Sequence, residues 1–265
     1  MIDLNRRWWD ERVPIHLTSS FYDVDSFRSG RNTLQQWELD EVGEVSARSL
    51  LHLQCHFGLD TLSWARIGAR ATGVDFSQPA VEAAAQLAAE LDIDATFVCS
   101  DVYDAVDALA GAQYDVVYTG HGALVWLPDI ERWADQVARL VAPNGILYVS
   151  EFHPVTQLFG WEDDAMEIVH HYREGEVTLS EDARGSYADL ETHTEHNTNA
   201  LYLHTIGSVL TTLLDHDFQI ELFRERDVTL YPRFSFLHPD SMGIYHTPSE
   251  RPTLPHMYSV RARKG

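Results

Sequence analysis

The stretch Leu50 to Ser77, LLHLQCHFGLDTLSWARIGARATGVDFS, constrains this chain most. Leu50–Leu53 is a short apolar run of the kind that forms a buried strand. A turn follows at Gln54–Gly58. A helical pattern then runs to about Ile67, offering Leu59, Leu62, Trp64 and Ala65 for packing, and Gly68 closes it. Ala71–Val74 is a second short strand, ending on Asp75. Strand, tight turn, helix, strand and acidic residue is the βαβ plan of a nucleotide site. The turn brings backbone N–H groups and a helix N-terminus to the ligand, and the carboxylate accepts from two ribose hydroxyls.

A dinucleotide fingerprint needs several glycines so that the backbone can touch a pyrophosphate. This turn has only Gly58, with Gln54 and His56 where others would sit. That argues against NAD or FAD. The stretch resembles the first motif of class I S-adenosylmethionine-dependent methyltransferases, usually written VLDLGCGTG, aligned over Leu50–Gly58. It departs at His52 for the acidic residue, and at Gln54 and His56 for two glycines. HLQCHFG followed by DTLS and DFS is similar to a variant subgroup of that family.

The resemblance implies an α/β fold: a three-layer Rossmann-like sheet, mostly parallel, with a C-terminal antiparallel hairpin. It implies S-adenosyl-L-methionine as cofactor, with S-adenosyl-L-homocysteine as product. Gln54, Cys55, His56 and Gly58 would then form the cofactor turn, and Asp75 with Phe76 the ribose end. Asp101 would accept the adenine amino group beside the Val102 N–H, and Thr119 and Gly120 would approach the methionine part.

The remaining segments fit that frame. Ser77-Gln78-Pro79 is a helix start, with Val81, Ala84, Ala88 and Leu91 at helical spacing. Ala95–Val98 reads as the third strand and Tyr114–Tyr118 as the fourth, ending in Thr119-Gly120-His121-Gly122. Pro128-Asp129 opens a helix with Ile130, Trp133, Ala134, Val137 and Leu140 inward. Pro143-Asn144-Gly145 reads as a turn before the fifth strand, Ile146–Phe152. LVAPNGILYVSEFHP resembles the family's LKPGG-strand segment. After His204-Thr205 a helix carries Ile206, Val209, Leu210, Leu213 and Leu214 on one face. Phe218–Val228 and Met257–Ala262 read as the last two strands, with a long loop at 229–254.

Two segments lie outside this core of 50–153 and 204–265. Residues 1–49 contain the aromatic cluster Trp8, Trp9, Phe21, Tyr22 and Phe27. They read as a helical lid over the cofactor or as a packing cap on the sheet, with Tyr22, Arg28 and Arg31 as polar groups able to reach a ligand. Residues 154–203 read as an insertion on the acceptor side, with two short strands around Glu174-Gly175 and a polar loop in GSYADLETHTEHNTN.

Methyl transfer is an in-line displacement, so much of its rate comes from orientation. A base is needed only for an acceptor that arrives protonated. His153 is the first candidate to orient or deprotonate the acceptor and His121 the second; Glu151 and His204 also reach the carboxyl edge. His170-His171 and His193-x-x-His196 lack the spacing and cysteine partners of a zinc site, so no metal is expected. The acceptor pocket is expected to be mostly enclosed and apolar, sized for a small molecule.

Charge narrows the acceptor. The formal net charge is −22, from 41 acidic and 19 basic residues. Such a surface repels phosphate backbones, which argues against nucleic acid. It fits adaptation to high salt or an acidic protein from an arginine-favouring genome; Lys264 is the single lysine. No apolar run approaches a membrane span, and MIDLNRRWWDERVP has no signal-peptide core. Cys55 and Cys99 are expected reduced, and the expected location is cytoplasmic. The oligomeric state stays open. Two rivals remain: a non-catalytic cofactor-binding protein without a closed acceptor pocket, and a Rossmann oxidoreductase.

Overall fold

The computed structural model describes residues 1–160 and 166–265. The part of the expected insertion at 161–165 lies outside the described residues. The helices are α1 (Ile2–Thr18), α2 (Val24–Arg28), α3 (Gln36–Val42), α4 (Leu59–Arg66), α5 (Gln78–Glu90), α6 (Ala105–Ala108), α7 (Ile130–Leu140) and α8 (Ile206–Asp215). The first five strands are β1 (Ser49–Leu53), β2 (Arg70–Asp75), β3 (Ala95–Cys99), β4 (Tyr114–Gly120) and β5 (Val141–Phe152). Then come β6 (Glu176–Ser180), β7 (Asn199–Leu203), β8 (Phe218–Arg226), β9 (Val228–Thr229), β10 (His238–Pro239), β11 (Tyr245–His246) and β12 (Met257–Lys264).

The main sheet runs β3-β2-β1-β4-β5-β12-β8. Its first five strands are parallel, and β12 pairs antiparallel with both β5 and β8. The strand order reverses beside β1, where β2 and β4 lie on its two sides. That switch point is where open α/β sheets bind ligands, beyond the carboxyl ends of the strands. Leu50, Leu51 and Leu53 of β1 are fully buried because helices cover both faces.

The helices follow their sequence patterns. Ser77, Asp129 and Thr205 are side-chain N-caps of α5, α7 and α8. Trp133, Ala134, Val137 and Leu140 of α7 are fully buried, and Ile130 nearly so. On α8, Val209 and Leu213 are fully buried, but Leu214 faces solvent.

Three expectations are corrected. The strands expected on either side of Glu174-Gly175 do not pair with each other. Only 176–180 becomes a strand, and it pairs antiparallel with β7; Ile168 instead makes an isolated bridge to Phe159. β5 begins at Val141, so Pro143-Asn144-Gly145 lies inside it, with Asn144 at φ 61°. The expected loop at 229–254 carries a small sheet ordered β10-β11-β9.

The N-terminal helix and the insertion are joined. Asn5 of α1 donates to the Ala200 carbonyl at 2.8 Å and accepts from the Ala200 N–H at 2.9 Å. Glu11 accepts from the N–H groups of Glu195 and His196, at 2.6 and 2.8 Å. The side chains α1 buries are Asn5, Trp8, Arg12, Val13 and His16. Most of them are polar or aromatic, because that face meets backbone carbonyls and hydroxyls rather than an apolar sheet.

Candidate functional site

A cavity of about 850 Å³ opens over the carboxyl edge of β1, β2 and β4. Gln54, Cys55, His56, Gly58, Asp75, Phe76, Asp101, Val102, Gly120 and His121 all line it. Thr119 and His153 do not. Thr119 is fully buried between neighbouring strands.

The turn after β1 keeps a glycine-like backbone without the glycines. Gln54 and His56 both take the left-handed conformation, at φ 58° and 51°, which costs a side-chain-bearing residue about 1–2 kcal/mol. Gly58 is needed for packing: a Cβ there would sit 2.6 Å from the Phe97 ring and 2.9 Å from Ala84 Cβ. It lets α4 start against β3 and α5.

The two replacements reach opposite ways. Gln54 Nε2 donates to the Ala123 carbonyl at 2.8 Å, tying the turn to the segment after β4. Among the described residues, its buried Oε1 has no partner. His56 Nε2 lies 2.8 Å from His16 Nδ1, and His16 Nε2 lies 2.6 Å from Ser186 Oγ. Burial pushes the pKa of His56 far down and that of His16 to about 3, so both rings are neutral. Turn, α1 and insertion thus meet in one Ser186–His16–His56 chain, with Trp9 5.0 Å from the His56 ring.

Asp75 ends β2 and is buried. One of its oxygens accepts from the His56 N–H at 2.8 Å and the other from the Ser77 N–H at 2.9 Å. Each keeps a lone pair for a further donor. Burial raises its pKa to about 6 despite these two bonds. Asp101 Oδ1 accepts from the Tyr103 N–H at 3.0 Å and caps the short turn Val102–Asp104.

Glu151 accepts from the N–H groups of Leu124 at 2.8 Å, Phe152 at 2.7 Å, and Gly122. It shapes the segment after β4. Burial raises its pKa, outweighing the three donors.

The two candidate bases sit differently. His153 Nε2 pairs with Glu225 at 2.9 Å, and its Nδ1 accepts from the Val155 N–H at 3.1 Å. It caps the turn at Pro154–Leu158 and lies off the cavity wall. His153 stays extended, its N–H bonding the His256 carbonyl at 2.8 Å, and its side chain reaches Glu225 of β8. His121 lines the cavity, but its Nε2 is 3.0 Å from Glu38 and its Nδ1 3.6 Å from Asp60. Burial opposes its charge, yet the two carboxylates outweigh burial and hold its pKa well above the ordinary value. An imidazolium fixed between two carboxylates takes no proton from an acceptor. His204 lines the cavity and donates from Nε2 to the Leu127 carbonyl at 2.8 Å.

The site also uses residues that periodicity does not reveal. Asp60 lies in the first turn of α4, and Trp126, Tyr187 and Tyr231 bring further aromatic wall. The contact of α1 with the insertion did leave a sequence signal: Asn5, Arg12 and His16 recur at helical spacing, a polar stripe that demands a polar partner.

Residues 51–149 match the family model described as "Methyltransferase domain". The Ubiquinone biosynthesis O-methyltransferase of Erwinia tasmaniensis is 30% identical over 147 residues, 54% of this chain and 55% of that protein. The Escherichia coli protein of the same name matches equally, at 30% over 147 residues. The chain thus spans about half the length of these curated relatives. Among solved structures, an S-adenosylmethionine dependent methyltransferase from Mesorhizobium loti superposes with a TM-score of 0.58 at 20% identity, over 89% of this chain and all of that one. The DhpI–SAH complex superposes with a TM-score of 0.55 at 15% identity, over 100% of this chain and 97% of that one. The chain therefore has the class I methyltransferase fold, with the expected antiparallel end to its sheet.

Proposed function

We propose that this chain, a class I S-adenosylmethionine-dependent methyltransferase by fold and core domain, methylates a small molecule inside the cavity over β1, β2 and β4. The carrying observation is the turn itself, with Asp75 beyond it and the orphaned Gln54 Oε1 beside it. Their chemistry fits the cofactor: a buried carboxylate with lone pairs left suits ribose hydroxyls, and a buried acceptor without a donor suits an N–H group. When bound, the cofactor supplies a methyl group on a sulfonium, ready for in-line attack.

The chain's own residues do the rest. Asp75 holds the ribose, and Asp101 and the Val102 N–H hold the adenine. Gln54, Cys55, His56, Gly58, Phe76, Thr119 and Gly120 shape the cofactor's seat, Thr119 through the strand end rather than by contact. Residues 1–49 act as the lid and 154–203 as the acceptor-side cap. Trp9, Tyr22, Trp126, Tyr187, Tyr202 and Tyr231 provide an aromatic wall that excludes water. With His153 off the wall and His121 held as a cation, the rate rests on orientation and exclusion of solvent.

A cavity of about 850 Å³ lies at the upper end of small-molecule sites, which run from about 300 to 1,000 Å³. It suits two ligands side by side. The relatives' naming for ubiquinone biosynthesis supports a small organic acceptor, and the net charge of −22 disfavours nucleic acid. Methyl-labelled cofactor incubated with the protein and a cell extract tests this. Label should enter the small-molecule fraction; label found in RNA or protein instead contradicts it.

The turn yields a separate expectation. Gln54→Gly together with His56→Gly relieves left-handed strain of about 1–2 kcal/mol per residue, but removes the Gln54 acceptor and the His16 contact. Stability should change little, while S-adenosylhomocysteine binds several-fold more weakly. Tighter binding by the double variant, measured by calorimetry, would contradict this.

A further inference from the structure

The methionine end of the proposed cofactor carries an ammonium group. A buried ammonium needs acceptors, and a carboxylate is the strongest. Among the described residues, four carboxylates line the cavity: Asp60, Asp75, Asp101 and Glu151. Three of them have other work. Asp75 holds the turn and Ser77, and faces the ribose end. Asp101 caps the turn after β3. Glu151 is committed to three backbone N–H groups. His52, in β1 just before the turn, also lines the cavity and supplies no negative charge.

Asp60 is different. It stands in the first turn of α4, just past Gly58, where the helix N-terminus favours a negative group. Oδ1 accepts from the Thr33 hydroxyl. Among the described residues, Oδ2 has only the ion contact with His121 Nδ1, at 3.6 Å, too long for a good hydrogen bond. Burial works against its ionised form, but His121, His52 and Thr33 outweigh that and bring its pKa to about 2. Its companion Glu38 is fully buried and bonds Tyr118 at 2.8 Å, the Gln35 N–H at 2.8 Å, and His121. Two carboxylates therefore face one imidazolium, Asp60 on the cavity wall and Glu38 buried behind it. Gln54, in the turn just before α4, also lines the cavity, and among the described residues its buried Oε1 has no partner.

We propose that Asp60 binds the ammonium of the cofactor's methionine moiety, with Gln54 Oε1 as a second acceptor, and that His121 and Thr33 hold Asp60 in place. This rests on the methyltransferase reading of the cavity. Asp60 is a binding residue, and His121 acts through it as a positioning residue rather than as a base.

Two ligands separate this role from a structural one. S-adenosylhomocysteine carries the amino group, and 5′-methylthioadenosine lacks the whole amino-acid end. Calorimetry on Asp60→Asn should show S-adenosylhomocysteine binding about tenfold more weakly, with 5′-methylthioadenosine within twofold of the wild-type value. Equal losses for both ligands, or no loss for either, overturn the assignment. A third arm needs no variant: the desamino analogue of S-adenosylhomocysteine should bind the unaltered protein about tenfold more weakly than the parent. It should bind Asp60→Asn with no further penalty. Additive penalties overturn the pairing. Failure of the unaltered protein to bind S-adenosylhomocysteine overturns the methyltransferase reading itself, and this inference with it.

Discussion

Replacing Asp75 with alanine is expected to weaken S-adenosylhomocysteine binding by at least about a hundredfold. Two hydrogen bonds from ribose hydroxyls to a carboxylate are worth roughly 1.5 kcal/mol each at the low end, and every 1.4 kcal/mol is tenfold in affinity. The backbone adds to the loss, because the His56 and Ser77 N–H groups would lose their shared acceptor. The same residue sets a pH signature. Burial holds its pKa near 6 in the folded chain, against about 3.9 for an unfolded aspartate. The native state therefore binds more protons than the unfolded one between about pH 4 and 6. Stability contributed by this group falls as pH rises through that window and levels off above it. Ligand affinity runs the other way, since the hydroxyls donate to the ionised form. Binding should be level above about pH 7 and about tenfold weaker at pH 5. In Asp75→Asn that step should disappear. A flat profile in the unaltered protein, or the same step in the asparagine variant, would remove Asp75 from the ribose.

The second large effect belongs to Arg12. Its side chain is fully buried on α1. It donates to the carbonyls of Gly185, His196, Ala183 and Trp8 at 3.0, 2.8, 2.8 and 2.9 Å. Its guanidinium also lies 3.9 Å from the centroid of the Trp8 ring. Burial lowers its pKa to about 10, which leaves it charged at neutral pH. Arg12→Ala removes the donor from the Gly185 and His196 carbonyls, and a buried group left unpartnered costs about 1–3 kcal/mol. The expected loss is about 3–5 kcal/mol, the range for breaking a buried charged network. It should fall on the union of α1 with the insertion. Hydrogen exchange should therefore accelerate across residues 183–197 while β1, β4 and β5 stay protected. Uniform loss of protection over the main sheet would mean that α1 and the insertion unfold with the core rather than as a separate cap.

The contrast between these residues shows what sequence pattern can reveal. Asp75 was legible because it ends a short apolar strand after a strand-turn-helix unit. Burial on both faces makes such strands nearly all apolar, so their ends are easy to find. Ser77, Asp129 and Thr205 were legible as caps because each precedes a helical pattern at the right offset. The union of α1 with the insertion was not. Its buried face is built on Asn5, Arg12 and His16, which no apolar period marks. The pairing of β6 with β7 spans a polar segment of eighteen residues, and local pattern favoured a hairpin at Glu174-Gly175 instead. The direction of His153 depended on its pairing with Glu225 of β8. The role of His121 depended on Glu38 and Asp60, which meet it only in three dimensions.

Calorimetric titration of the purified chain with S-adenosylhomocysteine, with NAD titrated in parallel, tests the central claim most directly. The turn has left-handed Gln54 and His56 in place of pyrophosphate-clearing glycines, with Asp75 beyond it. One saturable site for S-adenosylhomocysteine and no heat from NAD is the result this geometry predicts. Saturable binding of NAD, with none of S-adenosylhomocysteine, would contradict it.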